Sequence, residues 1–231
     1  MYYEPGKTKH GLARDPFKSC VVPRPIGWIS SVSADGVDNL APFSQFQNVS
    51  FDPPYVMMCM SHRPMGGRKD TVTNIEATRE FCWNMATYEL RDAVVKSAQH
   101  VERNVDEFEL AGVTKLASTL VKPYRVAESP VHFECLWYQT VRLPMGDVQE
   151  AIDMVIGRVV AVHVKDEFIR DDGRLDVLKM RPLARLGYHD YTSVETSFEL
   201  KIPNTNPLWQ LRQEGAAIHY RELTANPADA G

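Results

Sequence analysis

Residues 61–71 read S-H-R-P-M-G-G-R-K-D-T, which gathers His62, Arg63, Arg68 and Lys69 around the Gly66-Gly67 pair just ahead of a helical pattern. Backbone N–H groups at a helix start lack intrahelical acceptors, and with mobile cations beside them they bind a phosphate ester without a dedicated motif. A charged loop in water has the same composition, so two readings stay open. A second candidate is residues 39–61, N-L-A-P-F-S-Q-F-Q-N-V-S-F-D-P-P-Y-V-M-M-C-M-S, in which Ser44, Asn48 and Ser50 stand among aromatic and aliphatic residues. A flat, heteroatom-rich ring wants apolar walls for area and a few polar groups for orientation. An amphipathic strand facing water shows the same spacing.

Other chemistries lack their signatures. The seven histidines accompany no G-x-S-x-G elbow, no H-E-x-x-H and no D-x-D loop, so neither a serine nucleophile nor a metal is specified. His163 lies in an apolar strand, where a satisfied core histidine is the expectation. Cys20, Cys59, Cys82 and Cys135 are far apart and form no C-x-x-C pair, which reads as free thiols in a reducing compartment.

The elements that must position these residues are mostly strands. I-G-W-I-S-S-V at 26–32 is β-branched and aromatic, and Asp35-Gly36 after it signals a hairpin whose second strand starts near Leu40. Pro53-Pro54 cannot sit in a central ladder and marks a break before Y-V-M-M-C-M-S, giving three strands in the first sixty residues. From Lys69 the pattern turns helical, with Asp70 or Thr71 as N-cap and Val72 and Ile75 on one face. F-C-W-N-M-A-T returns to strand, Y-E-L-R-D-A-V-V-K-S-A-Q-H to helix, and one helical turn around residues 106–110 ends at Gly112. In V-H-F-E-C-L-W-Y-Q-T-V-R-L, alternation puts Val131, Phe133, Cys135, Trp137, Val141 and Leu143 on a core face. His132, Glu134, Tyr138, Thr140 and Arg142 fall on a polar one. M-V-I-G-R-V-V-A-V-H-V is apolar on both faces and reads as a central strand.

Many strands with few, short helices over 231 residues predict a mainly β fold, an antiparallel barrel with helical insertions. No G-x-G-x-x-G follows a strand. The 26 basic and 30 acidic residues are interleaved, with a formal charge of -4, so no nucleic-acid face is indicated. No apolar run approaches the ~18 residues of a membrane span, and no signal-peptide core opens the chain. The expectation is a cytoplasmic protein of one domain over 1–231, with a C-terminal extension from about 193.

Five of these segments, in order, carry a resemblance: P-R-P-I-G-W-I-S-S-V-S-A-D-G-V-D-N-L-A-P-F-S-Q-F-Q-N-V-S-F-D-P-P-Y-V-M-M, K-D-T-V-T-N-I-E-A-T-R-E-F-C-W-N-M-A-T, E-S-P-V-H-F-E-C, V-I-G-R-V-V-A-V-H-V and R-P-L-A-R-L-G-Y-H-D-Y. Together they resemble the flavin reductase-like family of FMN-binding split barrels. The resemblance implies a Greek-key split β-barrel that forms a homodimer, with FMN at or near the subunit interface and NADH or NADPH as co-substrate. By position it implies cofactor contacts from Arg24, Trp28, Ile29, Ser30 and Ser31, from Asn48, Val49 and Ser50, and from Ser61, Arg63, Lys69, Asp70 and Thr71. Tyr188, His189 and Tyr191 in R-L-G-Y-H-D-Y are candidates to touch substrate or flavin, or else they pack the C-terminal extension.

The implied activity is NAD(P)H:flavin reduction, alone or as the reductase component serving a monooxygenase. One departure counts against it. Related short-chain reductases carry Gly-Asp-His just before the glycine of the V-I-G strand, and alignment on Gly157 puts Ala151 and Ile152 where Asp and His would stand. That leaves two alternatives: an enzyme that keeps its FMN and acts on a specific small molecule, and a flavin-binding electron carrier without nicotinamide turnover. The segment F-E-L-K-I-P-N-T-N-P-L-W-Q-L-R-Q-E-G-A-A-I-H-Y is apolar enough to pack on a partner subunit or over the pocket mouth.

Overall fold

The computed structural model describes residues 1–62, 66–145 and 148–203. Its first unit, Met1–Glu195, is mainly β. In chain order the elements are β1 (Arg24–Pro25), β2 (Gly27–Val32), β3 (Asp38–Phe43), β4 (Phe46–Phe51), β5 (Pro54–Ser61), α1 (Asp70–Thr78), β6 (Glu80–Met85), α2 (Arg91–Lys96) and α3 (Glu107–Ala111). They continue with β7 (Lys115–Leu116), β8 (Arg125–Val126), β9 (Val131–Met145), β10 (Val148–Val164), α4 (Val177–Met180), β11 (Leu183–Gly187) and β12 (Asp190–Ser193). Beyond Glu195 the second unit is described only to Pro203 and has no helix or strand over those residues. The apolar extension from 204 onward lies outside the described residues.

Seven strands form one antiparallel sheet in the order β3-β2-β6-β9-β10-β5-β4. Its two end strands, β3 and β4, are consecutive in the chain and joined only by Ser44 and Gln45. Two residues cannot span an open seven-stranded sheet at ~4.8 Å per strand, so the sheet has to curl until its ends meet. The Cys59 N–H donates to the Gln45 carbonyl (2.9 Å), so the β4–β5 ladder already begins in that two-residue link. Phe46 packs so closely on β2 that a Cβ on Gly27 would stand 2.7 Å from its ring. The run from Leu40 to the Pro53-Pro54 break, expected as one strand, is therefore two strands, divided at Ser44 and Gln45 because the chain crosses from one edge of the sheet to the other.

Inside the barrel Ile29, Val56, Met58, Met60, Phe81, Trp83, Val155 and Val159 pack with Val72 and Ile75 of α1. The Phe46 and Trp83 rings stack with centroids 5.5 Å apart. A second core lies on the other face of β2, where Trp28 and Leu40 meet Val94 of α2, Phe108 of α3 and Leu183 of β11. That second layer explains why β2 is buried on both faces. The smaller sheet β1-β11-β12 lies beside it.

The predicted alternation along β9 holds only as far as Trp137. The pairing with β10 passes from Ile156↔Gln139 to Gly157↔Trp137, so Tyr138 is an extra residue, a β-bulge, and every later side chain changes face. Val141 and Leu143 consequently leave the core face, and Leu143 is exposed, while Arg142 turns to within 3.5 Å of buried Asp153. The expected polar face is also not in water at its start. His132 and Glu134 are buried, because residues 117–124 lie over them and the N–H groups of Thr119, Leu120 and Val121 donate to the Glu134 carboxylate. His163 is half-buried and completes that carboxylate's set at 2.6 Å.

α1 differs from expectation at its start. Lys69, not Asp70 or Thr71, is the N-cap, and no side chain caps the helix. α3 matches: the Asp106 carboxylate accepts from the Phe108 N–H, and Gly112 ends it in the left-handed region (φ 72°).

Gly157 sits where any side chain would collide with the buried Phe81 ring. Gly157→Ala is expected to cost about 1–3 kcal/mol by overpacking, measured as a lower urea midpoint at unchanged m-value.

Candidate functional site

A cavity of about 380 Å³ opens between β3, the start of α1 and residues 97–102. β3 supplies Asn39, Ala41, Pro42 and Phe43, and α1 supplies Lys69, Asp70 and Thr71. Pro42 is tolerated there because β3 is an edge strand that pairs only with β2, so its missing N–H breaks no ladder. The cavity therefore has an apolar wall along a strand edge and a helix start at one end. Because Lys69 stands where a Ser, Thr, Asp or Asn would cap the helix, the N-cap side chain makes no bond to the first-turn N–H groups. The Lys69 ammonium lies 3.3 Å from His100 Nδ1 across the cavity.

A directional hydrogen-bond network fixes this end. Thr71 Oγ1 and Ser31 Oγ both donate to Asn39 Oδ1 (2.8 and 3.1 Å), and Asn74 Nδ2 donates to Ser31 Oγ (3.3 Å). Asn39 Nδ2 then donates to Glu107 Oε1 (2.9 Å), while the Leu40 N–H donates to Glu107 Oε2 (3.2 Å). All of these side chains are buried. Burial pushes the Glu107 carboxyl above the usual carboxylate range, and the donors from Leu40 and Asn39 pull in the opposite direction. β2, β3, α1 and α3 are thereby tied together at the cavity floor by one amide, Asn39.

The loop before α1 is held by Arg68. Its guanidinium donates to both oxygens of Glu76 (2.5 and 2.8 Å) and both of Asp153 (3.0 and 3.0 Å). These bonds, Glu76 first, hold Arg68 well above its ordinary pKa, and Arg68 in turn lowers that of Glu76. The anion-loop reading is thus narrowed. Arg68 is committed to two carboxylates, His62 Nε2 lies 3.5 Å from Asp153, and Arg63 lies outside the described residues. Lys69 is the cation of this loop that lines the cavity among the described residues.

The remaining residues singled out from the sequence are dispersed. Arg24 donates to the Lys18 and Val21 carbonyls (2.7 and 3.0 Å). Trp28 is buried in the second core with its Nε1 on Ser97 Oγ (2.9 Å), Ile29 is in the barrel core, and Ser30 Oγ donates to the Tyr124 carbonyl (2.5 Å). Asn48, Val49 and Ser50 lie on edge strand β4, where Gln47 Nε2 donates to Asn48 and Ser50 Oγ donates to the Pro53 carbonyl. Val49 is 58% exposed. Ser61 ends β5 opposite Ile152 and is exposed. His189 and Tyr191 line a separate groove between α2 and the β11–β12 hairpin. Tyr188, at φ 45°, forms the hairpin turn.

Sequence reasoning missed Asn39, Glu107 and residues 97–102. Asn39 stood inside the quoted 39–61 stretch, but Glu107 reads as an ordinary first-turn acid, and nothing in its neighbours signals a buried acceptor.

Comparison with known proteins agrees with this architecture. Residues 19–190 match the family model described as flavin reductase like domain. An uncharacterized protein of Aquifex aeolicus is 37% identical over 182 residues, covering 79% of this chain and 90% of its own. Nitrilotriacetate monooxygenase component B from Bacillus cereus superposes with a TM-score of 0.79 at 28% identity, over 87% of this chain and 98% of that one. The 2-nitrobenzoate 2-nitroreductase NbaA of Pseudomonas fluorescens gives a TM-score of 0.70 at 26% identity, over 83% and 90%. With a family match over most of its length and a fold that superposes on that of its structural relatives, the chain belongs to the flavin reductase-like family of split-barrel, flavin-binding proteins.

Proposed function

We propose that the protein is an FMN-dependent oxidoreductase that reduces flavin with NADH or NADPH, alone or as the reductase component serving a monooxygenase. The observation that carries this reading is the cavity at the start of α1, where a helix terminus and the Lys69 ammonium meet an apolar strand edge. That donor set suits FMN: a phosphate at the helix start, and a flat ring along Ala41, Pro42 and Phe43. Flavin, when bound, supplies the redox chemistry. The chain's share is to neutralise the phosphate through Lys69 and the first-turn N–H groups, to orient the ligand against a rigid floor, and to keep water from the apolar wall. Asn39, with both ends of its amide engaged, keeps that floor in one arrangement. No side chain is assigned as acid or base.

Asn48, Val49 and Ser50, cofactor contacts that the resemblance implies and that lie outside this cavity, share β4 with Phe51, which is 84% exposed. β5 and β10 beside it carry half-buried Met57, Met154 and Ile156. An apolar surface of this kind next to the implied cofactor contacts supports a homodimer whose interface closes over the flavin.

A second reading, an enzyme with permanently held FMN or an electron carrier, is favoured by one observation. Ala151 is buried on β10 with Ile152 beside it, so the place of the Asp-His pair holds no imidazole.

Lys69→Ala is expected to weaken FMN binding by about tenfold, the loss of one charge-assisted contact, and to leave riboflavin affinity nearly unchanged; flavin fluorescence quenching measures both. Equal losses for the two ligands would remove the phosphate assignment. Mixing FMN-loaded protein with NADH or NADPH in a stopped-flow instrument should bleach flavin absorbance, and absence of bleaching with either would leave only the second reading. Phe51→Asp is expected to convert a dimer to a monomer in light scattering and to lower FMN affinity; a wild-type monomer would end the dimer proposal.

A further inference from the structure

Lys69 and His100 line the cavity from different elements, with Lys69 Nζ 3.3 Å from His100 Nδ1. An ammonium can only donate, so Nδ1 accepts with its lone pair and the imidazole is neutral in this arrangement. Protonating it there would set two positive charges at hydrogen-bond distance, an unfavourable pairing even in a watery medium. An anion entering between them reverses that sign, because it attracts both groups at once.

Both residues are held at their backbones. Lys69 is the N-cap of α1, and its carbonyl accepts from the N–H and Oγ1 of Thr73 (3.2 Å each). His100 follows a run of tight turns that continues α2, in which the Ser97, Ala98 and Gln99 N–H groups donate to the Ala93, Val95 and Lys96 carbonyls (2.9, 3.2 and 3.3 Å). Buried Ser97 is fixed further, since Trp28 Nε1 donates to its Oγ (2.9 Å) and that Oγ donates to the Val94 carbonyl (3.0 Å). Trp28, itself fully buried, thereby bears on the cavity through the segment that carries His100. His100 is exposed, so it exchanges protons with solvent. The other charged residues that line the cavity are acidic: Asp70 of α1, Glu102 of the 97–102 segment and Glu107 of α3. They favour a protonated imidazole and repel an anionic ligand, which leaves the gap between Lys69 and His100 as the place where a phosphate is attracted from two sides.

We propose that His100 is a second phosphate ligand of this site and its selector for a phosphomonoester. When FMN binds, the Lys69 ammonium turns to one phosphate oxygen, Nδ1 takes a proton from the buffer, and the imidazolium donates to a second oxygen. A monoester carries about −1.5 to −2 at neutral pH, and two cations match it. Each diester phosphate of FAD carries a single negative charge, which Lys69 alone balances, and riboflavin has none, so neither draws a proton onto His100. Selection therefore favours FMN over FAD, and FMN binding is linked to proton uptake at and above neutral pH, where a free imidazole is mostly neutral. The proposal rests on the flavin reading above for the identity of its ligand.

The test is titration calorimetry of the full chain at about pH 7.5, in two phosphate-free buffers of different ionisation enthalpy, with FMN, FAD, riboflavin and phenyl phosphate as ligands. The difference in heat between the buffers counts the protons taken up. FMN and phenyl phosphate are expected to draw a substantial fraction of one proton, and FAD and riboflavin close to none. His100→Gln keeps a polar side chain that cannot be protonated. It should abolish the uptake and weaken FMN about tenfold, leaving FAD and riboflavin within about twofold of wild type. Because Asp70, Glu102 and Glu107 are unchanged in that variant, uptake that persists in it would assign the proton to one of them and overturn the proposal. FMN binding without uptake, no uptake with any of the four ligands, or equal losses for FMN and FAD in His100→Gln would overturn it too. His100-dependent uptake with phenyl phosphate in a protein that binds no flavin would uphold the phosphate site and remove the flavin reading alone.

Discussion

The two-residue link between β3 and β4 is the constraint from which the rest of the architecture follows. Strands that are sequence neighbours occupy opposite ends of a seven-stranded order, so the sheet closes or the chain breaks. Closure leaves a seam with no β3–β4 ladder, sealed by Phe46 packed against Gly27 of β2. It also leaves β3 with one unpaired edge, and that edge becomes the wall of the cavity. An edge strand is ordinarily a liability, a row of open donors and acceptors. Here Glu107 takes the Leu40 N–H, and Pro42 brings none.

Because the wall is an edge, it needs bracing from elsewhere, and the bracing is polar. Asn39 receives two hydroxyl donors and gives one amide proton, so its orientation is over-determined. A buried network of this kind is most favourable when every member is satisfied, and here Asn74 Oδ1 is buried without a hydrogen-bond partner among the described residues. Removing the Glu107 acceptor would strand the Asn39 amide and the Leu40 N–H together, at roughly 1–3 kcal/mol for each buried donor. The start of α1, to which Thr71 belongs, would lose its register on β3 in the same event. Arg68 does the equivalent work at the preceding loop, where its bonds to Glu76 and Asp153 join α1 to β10.

The sequence was most legible where one local rule governs. Asp35-Gly36 turned the β2–β3 hairpin, with Gly36 at φ 87°. Gly112 ended α3, and the alternation of apolar residues located the strands. It was least legible where one extra residue changes the rule. The bulge at Tyr138 looks like any other strand position, yet it sends Val141 and Leu143 outward and Arg142 toward Asp153. The Ser44 break was equally hidden, since residues 40–51 have continuous strand composition and only the closure of the sheet divides them. As for the cavity, Lys69, Asp70 and Thr71 were readable because a helix start announces itself. Glu107 was not, because its role depends on a partner 68 positions away.

Polarity inside this barrel therefore marks two different things, and geometry separates them. Glu134 is as buried as Glu107, and burial alone would raise its pKa. The N–H groups of Thr119 and Leu120, with His163, lower it instead, and residues 117–124 close over it. Its oxygens are all engaged by protein, which makes it the anchor of a loop and leaves nothing for a ligand. Burial lowers the nearby His132 to about 4, so that imidazole stays neutral in the physiological range and its Nε2 contact with the Val126 carbonyl (2.8 Å) is structural as well. Glu107, by contrast, braces side chains that line an open cavity. A charged or polar residue in this fold bears on function when its network ends at a surface a ligand can reach, and that property is invisible until the sheet has closed.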